Sequence, residues 1–215
     1  NELFKTYLSK TIAVDACVSP DNAEFAYAEV NNSGTTIQSN IKIISIKDVK
    51  EKNTEPKYEY NAVQGSLILR IKYQDKSRLI CMYDDSIHKF ETGVDVELTK
   101  LNEDNPKITF ADIELSNYVF RTYEKSTSLF SADTIIEMQN TSNGKENVYT
   151  IEEVAKSVVS NNNVIAVNLG NEVYFVETNA WLIKRYSSSQ VIEKIILGDG
   201  VAGIIYSDKI EIVNL

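Results

Sequence analysis

The sequence contains few of the residues that carry metal, redox or disulfide chemistry. Its 215 residues include two cysteines, one histidine and three prolines. Cys17 and Cys81 lie far apart and form no CxxC pair, which excludes a zinc ribbon or a thioredoxin-type motif. Both lie in short apolar stretches, so we expect two buried free thiols in preference to a disulfide. No metal site and no cofactor site is predicted.

Long apolar runs and basic clusters are also absent. No segment approaches the roughly 20 apolar residues that a membrane span requires, and no signal-peptide pattern is present. Acidic residues outnumber basic residues by 31 to 22, which gives a formal charge of −9 and a pI near 4.8. Nucleic acids and anionic membrane surfaces bind clustered Lys and Arg. The composition therefore disfavours both as partners.

The single histidine, His88, has no companions in a pattern that catalysis or metal binding would need. A triad or an imidazole metal site requires further groups that converge in space, and the sequence marks none. His88 lies in the alternating stretch 86–91, which predicts a solvent-facing strand residue. The adjacent Asp84 and Asp85 would point to opposite faces of a strand, so they do not suit the paired carboxylates of glycoside hydrolysis.

Two short motifs resemble ligand-binding loops but lack the required context. Gly198, Gly200 and Gly203 spell GxGxxG, yet the residues after them are strand-like, and the acidic residue expected about 20 positions later is missing. The stretch 102–105 resembles part of a calcium loop without its glycine and distal glutamate. Both are interpreted as turns.

Strand-forming residues separated by turn residues make up most of the chain. Twelve Tyr and seven Phe favour β structure. The clearest example is the stretch 163–187, NVIAVNLGNEVYFVETNAWLIKRYS. An apolar run ends at Gly170, an alternating stretch follows, and a break at 178–180 precedes a third, more charged strand. This stretch predicts a three-stranded meander.

The same pattern of strands and turns recurs along the chain. Turns analogous to the one at Gly170 fall near Asp84, Lys125 and Ser207, at about the 40-residue period of four-stranded propeller blades. We therefore predict an all-β fold, a β-propeller-like array of about five four-stranded antiparallel units. Residues 1–215 are expected to form a single domain.

The two ends of the chain give a further prediction. The last unit has three strand-like stretches, and an unpartnered strand is predicted at Leu3–Ser9. Pairing of Leu3–Ser9 with Lys209–Val213 would close the ring and remove two exposed sheet edges. One segment, 150–160, stays open: its apolar spacing suits a short helix with a capping box, whereas the repeat requires an inner strand, which we favour.

One part of the sequence resembles a known family. The residues VSPDN at 18–22, followed by EFAYAEV, resemble the SPDG-then-LAY pattern of bacterial WD40-like and TolB-like propellers. Residues 2–46 and 179–215 resemble an uncharacterised bacterial family of membrane-anchored, propeller-like proteins that carry a domain of unknown function. The resemblance implies a location outside the cytoplasm and a membrane helix, which is expected to precede Asn1. It implies no activity and no catalytic residue.

Trp181 is the candidate recognition residue, because aromatic side chains dominate binding hot spots. A Trp at the head of an outer strand more often packs between neighbouring blades, and packing is the interpretation that we favour. The leading functional hypothesis is a non-enzymatic extracytoplasmic scaffold that binds a protein or cell-envelope partner through propeller loops. The alternatives are a small-molecule-binding, glycan-binding or hydrolase domain that uses the central channel, and a purely structural domain of a larger assembly.

Overall fold

The computed structural model describes residues 5–8, 10–31, 33–102 and 106–215, and these residues form an all-β fold with one short helix. The strands form five antiparallel sheets, four with four strands and one with three. The chain divides into two compact units, Asn1–Asn102 and Glu103–Leu215. The predicted array of about five antiparallel units is confirmed.

Unit 1 contains sheet 1, in the order β1-β2-β3-β4, and sheet 2, in the order β5-β6-β7-β8. A bulge in β1 brings Asp15 to β5, where its Oδ2 accepts a hydrogen bond from the N–H of Ile71 (2.9 Å). The core between the sheets includes the fully buried Ile41 and Leu79. The elements are β1 (Thr11–Val18), β2 (Glu24–Asn31), β3 (Ser39–Ser45), α1 (Ile46–Lys50), β4 (Tyr58–Asn61), β5 (Ile68–Tyr73), β6 (Arg78–Tyr83), β7 (Ser86–Glu91) and β8 (Val94–Lys100).

The segment after β3 contains the short helix α1, which was not predicted from the sequence. Ser45 caps α1 by accepting a hydrogen bond from the N–H of Asp48 (3.2 Å). The short strand β4 was missed, and it completes sheet 1. Its Tyr60 packs on Phe90 of β7, with 4.3 Å between ring centroids. A four-residue strand that depends on an aromatic contact with another sheet leaves little periodic signal in its own sequence.

Unit 2 contains sheet 3, in the order β12-β11-β10-β9, sheet 4, in the order β13-β14-β15-β16, and the three-stranded sheet 5, in the order β17-β18-β19. Its core includes the fully buried Ile136, Ile165 and Phe175. The strands are β9 (Ile108–Asp112), β10 (Tyr118–Ser126), β11 (Ala132–Asn140), β12 (Glu146–Ile151), β13 (Ser157–Asn161), β14 (Val164–Asn168), β15 (Glu172–Glu177), β16 (Leu182–Ser187), β17 (Lys194–Leu197), β18 (Val201–Ile205) and β19 (Ile210–Asn214).

The ambiguous segment 150–160 contains no helix, because β12 ends within it and β13 begins within it. Thr134 of β11 holds the chain between these two strands. Its hydroxyl donates to the carbonyl of Glu153 (2.7 Å) and accepts from the N–H of Ala155 (2.8 Å). The inner strand that the repeat required is confirmed, and the proposed helix cap is wrong.

The stretch 163–187 forms the predicted meander of β14, β15 and β16. Ring closure stays a prediction, since residues 3, 4 and 9 of the proposed closing strand lie outside the described residues and residues 5–8 form no strand. Within the part of the chain that the structure describes, no helix has the length and apolar character that crossing a bilayer demands.

Candidate interaction site

Trp181 lies in the turn between β15 and β16 and is exposed to 70%. Its N–H donates to Oδ1 of Asn179 (2.9 Å), its carbonyl accepts from the N–H of Glu177 (2.8 Å), and Ala180 adopts a positive φ of 65°. The packing role that we favoured for Trp181 is therefore wrong. A register shift where β16 begins leaves Trp181 in the turn, and Ile183 packs against the core instead.

The turn that carries Trp181 is hydrogen-bonded to the β13–β14 turn and to strand β12. The N–H of Thr178 donates to the carbonyl of Asn163 (3.1 Å), and the side-chain amide of Asn147 donates to the carbonyl of Thr178 (2.7 Å). Asn147 belongs to sheet 3, so hydrogen bonds from two sheets hold one turn. The indole is thus presented to solvent by an ordered backbone.

A second exposed apolar group lies at the tip of the β10–β11 hairpin. Leu129 and Phe130 are exposed to 94% and 98%. They were not among the candidate residues predicted from the sequence, although two adjacent large apolar residues within a Ser- and Thr-rich turn are a visible signal.

The two exposed groups lie at opposite ends of the sheets of unit 2. β9 and β13 have the same direction, as the parallel bridge between Leu115 and Asn162 shows. Corresponding turns of sheets 3 and 4 therefore lie at the same end. Phe130 follows the second strand of sheet 3, whereas Trp181 follows the third strand of sheet 4. Because antiparallel strands alternate in direction, these turns face opposite ends.

His88 lies at the centre of a hydrogen-bonded chain in unit 1. Its Nδ1 is 2.7 Å from Oδ1 of Asp95, and its Nε2 is 3.1 Å from Oγ of Ser86. The Ser86 hydroxyl donates to Oδ1 of Asp85 (2.8 Å), and the Ser66 hydroxyl donates to Oδ2 of the same carboxylate (2.9 Å). The predicted solvent-facing position of His88 is wrong, since its side chain is only 15% exposed.

The order Asp95, His88, Ser86 is that of a catalytic triad, and a pocket of about 120 Å³ adjoins it. A serine hydroxyl has one proton, and Ser86 directs it to Asp85. A carboxylate 2.8 Å from that oxygen opposes the negative charge that develops during acyl transfer, and Glu97 also lines the pocket. This chain of hydrogen bonds suits a structural role, because it connects β7 to β8 and to the loop before β5.

The remaining sequence candidates have structural positions. Cys17 and Cys81 are free, as predicted, but Cys17 is only half-buried. The turn interpretation of the glycine motif is confirmed, because β17 ends at Leu197 and β18 begins at Val201. Residues 103–105 of the calcium-like stretch lie outside the described residues. Among the described side chains, no group of three or more His, Cys, Asp or Glu is arranged to hold a metal ion.

The sequence matches no known protein family and no curated protein, but its fold is similar to solved structures. A prolyl endopeptidase has a TM-score of 0.58 at 14% identity, over 94% of this chain and 32% of that one. Sqt1 from Chaetomium thermophilum, bound to the N-terminus of a ribosomal protein, has a TM-score of 0.52 at 8% identity, over 96% and 61%. The extracellular domain of BT4673 from B. thetaiotaomicron has a TM-score of 0.51 at 9% identity, over 94% and 34%.

These comparisons establish the class of fold. The similar proteins are β-propeller-like, and the five antiparallel sheets of this chain match them. The chain spans between 32% and 61% of the three structures described. The fold class predicted from the 40-residue repeat is therefore confirmed.

Proposed function

We propose that this chain is a non-enzymatic scaffold that binds a protein partner through the loops of its propeller-like sheets. The observation that carries the proposal is Trp181, a 70% exposed indole on a hydrogen-bonded turn. An aromatic side chain held in place loses little conformational freedom on binding, and aromatic residues supply much of the energy of protein interfaces. The complex of Sqt1 with a ribosomal protein segment supports this use of a similar fold.

The non-enzymatic part of the proposal rests on the environment of Ser86. Although a prolyl endopeptidase is among the structurally similar proteins, this chain spans 32% of it. The Asp–His–Ser arrangement in unit 1 directs its hydroxyl to Asp85 rather than to the imidazole. We therefore favour binding over hydrolysis as the function of this chain.

We further propose that the protein belongs to the membrane-anchored bacterial family that residues 2–46 and 179–215 resemble. It would then act outside the cytoplasm on a protein partner in the cell envelope. The test is a fusion of the complete gene product to alkaline phosphatase, which is active only after export. An inactive fusion that is present in normal amounts contradicts this location.

The binding proposal is tested with a photo-crosslinking residue, p-benzoylphenylalanine, in place of Trp181 in the source cells. The crosslinked protein is identified, purified and titrated against the wild-type chain. We expect Trp181→Ala to weaken binding by about tenfold or more, as for a hot-spot residue. Val191→Ala, a control at another exposed apolar residue, should leave the affinity within about twofold. Equal affinities of Trp181→Ala and wild type would contradict the role of Trp181.

A further inference from the structure

The hairpin of β10 and β11 extends beyond the rest of sheet 3 as a two-stranded arm. The pairing of β9 with β10 stops at Tyr123, opposite Ile108, and the pairing of β12 with β11 starts at Thr134, opposite Ile151. The β10–β11 ladder continues past these points. Residues 124–133, which we call the arm, thus have no flanking strand among the described residues.

Hydroxyl groups close the tip of the arm. The N–H groups of Thr127 and Ser128 both donate to the carbonyl of Ser131 (3.0 and 3.2 Å). The hydroxyl of Ser131 lies 2.9 Å from that of Thr127 and 2.6 Å from that of Ser128. The N–H of Phe130 donates to the Ser128 hydroxyl (3.3 Å). These bonds satisfy the polar groups of the turn locally, as Ser and Thr do in short turns.

The closed tip directs two large apolar side chains into solvent. Leu129 and Phe130 are 94% and 98% exposed. Single exposed apolar residues are common on protein surfaces and need no explanation. Two adjacent residues of this size, on an ordered turn beyond the edge of a sheet, form a compact wedge whose burial would release water from both side chains.

The charge of the arm and of the whole chain favours one class of partner. Glu124 and Asp133 are in the arm, with Lys125 directly opposite Asp133, so the arm has a net negative charge, and the whole chain has a charge of −9. Anionic lipid headgroups repel such a surface. A protein with basic residues around an apolar pocket attracts it.

We propose that the arm docks into a protein whose pocket has an apolar floor for Leu129 and Phe130 and a rim of Lys or Arg. This inference rests on the proposed function, because it requires a protein partner. It adds a second contact, since the arm and Trp181 lie at opposite ends of the sheets of unit 2. The two contacts can therefore be removed separately by substitution.

The first experiment places p-benzoylphenylalanine at position 130 in the source cells and, in parallel, at position 181. The protein crosslinked from position 130 is identified and purified. Binding is then followed by fluorescence with Phe130→Trp in a Trp181→Phe background, so that the only indole of this chain is at the tip of the arm. The emission of the partner alone is subtracted. We expect the emission to shift to shorter wavelength on saturation, because the tip leaves water.

Affinity measurements decide the inference. We expect Leu129→Ser with Phe130→Ser to weaken binding of the protein crosslinked from position 130 by about tenfold or more, while Val191→Ala, at an exposed residue outside the arm, leaves the affinity within about twofold. Added salt should weaken binding, because the rim is basic. Substitution at the tip should leave the unfolding transition near that of wild type, since both side chains are exposed. An equal affinity of the doubly substituted chain overturns the inference and leaves the scaffold proposal standing.

Two further outcomes also overturn it. The same fluorescence shift on adding vesicles of phosphatidylcholine and phosphatidylglycerol, without protein, would identify a lipid-binding arm. Crosslinking from position 181 but not from position 130 would remove the arm from the interface. Crosslinking from neither position would contradict the proposed function itself.

Discussion

At the residue scale, burial determines the chemistry of the two thiols. Burial raises the pKa of Cys17 to about 12 and holds the pKa of the Cys81 thiol well above its usual range. The thiolate is the reactive form, so both groups stay unreactive near neutral pH. Between a normal thiol pKa of 9.0 and about 12, the unfolded chain releases the Cys17 proton that the folded chain keeps. The free energy of unfolding therefore falls with rising pH in this window.

We predict that neither thiol reacts appreciably with an aromatic disulfide reagent at pH 8 in the native protein. In denaturant, two thiols should react rapidly with the reagent. This count would also confirm that no disulfide is present. The measurement is the absorbance of the released aromatic thiolate against time. Rapid reaction of one thiol before denaturation would show that Cys17 is accessible and charged. Cys17→Ala distinguishes it from Cys81.

Exposure predicts a small change in stability on substitution of one aromatic residue of unit 2 and a large loss on substitution of another. Trp181→Ala should change the free energy of unfolding by less than about 0.5 kcal/mol, because its side chain is mostly in water. Phe175→Ala should lower it by about 3–5 kcal/mol, because Phe175 is fully buried. Urea denaturation followed by circular dichroism measures both. A large loss in Trp181→Ala would restore the packing role that the sequence favoured.

The hydrogen-bonded chain through His88 shows which side-chain contacts can be predicted from the sequence and which cannot. Ser86 and His88 are two positions apart in one strand, so their shared face was predictable. Asp95 reaches the imidazole only through the register of β7 with β8, which shifts between Ile87 and His88. A bulge of this kind leaves no clear mark on apolar alternation, so the sequence did not place the third group.

At the element scale, the β14–β15 turn depends on Gly170. Its φ of 111° is a conformation that other residues rarely adopt, and an added Cβ would lie 2.3 Å from Nζ of Lys156. We predict that Gly170→Ala lowers the free energy of unfolding by about 1–3 kcal/mol. Gly144→Ala is the matched control, because φ is 72° there and no atom lies within 4 Å of the added Cβ.

The double substitution Gly170→Ala with Lys156→Ala separates strain from collision. If the lysine contributes, part of the loss is recovered, and the part caused by the backbone angle stays. Chemical denaturation of the four variants gives the coupling between the two sites. Equal stability of Gly170→Ala and wild type would show that the turn adopts another conformation.

A second element-scale contact joins sheets 4 and 5. The Tyr186 hydroxyl donates to Glu211 and lies 2.7 Å from the Tyr206 hydroxyl, and Lys209 Nζ lies 2.5 Å from the Glu211 carboxylate. The hydrogen bonds from Lys209 and then Tyr186 lower the pKa of Glu211. A lowered carboxyl pKa stabilises the fold above the ordinary pKa, and this contribution is lost as the pH falls through the folded value.

We predict that Glu211→Gln makes the stability less dependent on pH on the acid side of about pH 4.3, the ordinary pKa of a glutamate. The variant should be less stable than wild type at pH 7 and approach it at lower pH. Urea titrations at several pH values measure this difference. Glu146→Gln, at an exposed glutamate, is the control. Parallel pH curves for Glu211→Gln and wild type would contradict the bonding described.

Strands whose own residues show a clear apolar alternation were predicted from the sequence, and strands with a weak alternation were missed. In sheet 2, the apolar alternation at 86–91 predicted β7 with its observed bounds. β4 and β12 were missed, because β4 has four residues and β12 follows the polar tract 141–147. Both are edge strands of their sheets, with weak patterns of their own, and pairing with an inner neighbour stabilises them.

At the scale of the whole molecule, each unit has its own core. Among the described residues, the cluster around Leu79 consists of residues of unit 1, and the clusters around Phe175 and Ile136 consist of residues of unit 2. We predict that residues 1–102 and 103–215, produced separately, each show strand-type circular dichroism and a cooperative thermal transition. A fragment that stays unfolded would show that its core requires the other unit and would favour the predicted single domain.

The sequence by itself determined the fold class, the period of the repeat and the positions of most turns. These depend on local alternation and on turn residues, which are properties of neighbouring positions in the chain. Tertiary structure alone decided that Trp181 is exposed, that His88 joins Ser86 to Asp95, and that Leu129 and Phe130 lie at the tip of an arm. Strand register and the reach of flanking strands determine these features, and both arise from contacts between residues far apart in sequence.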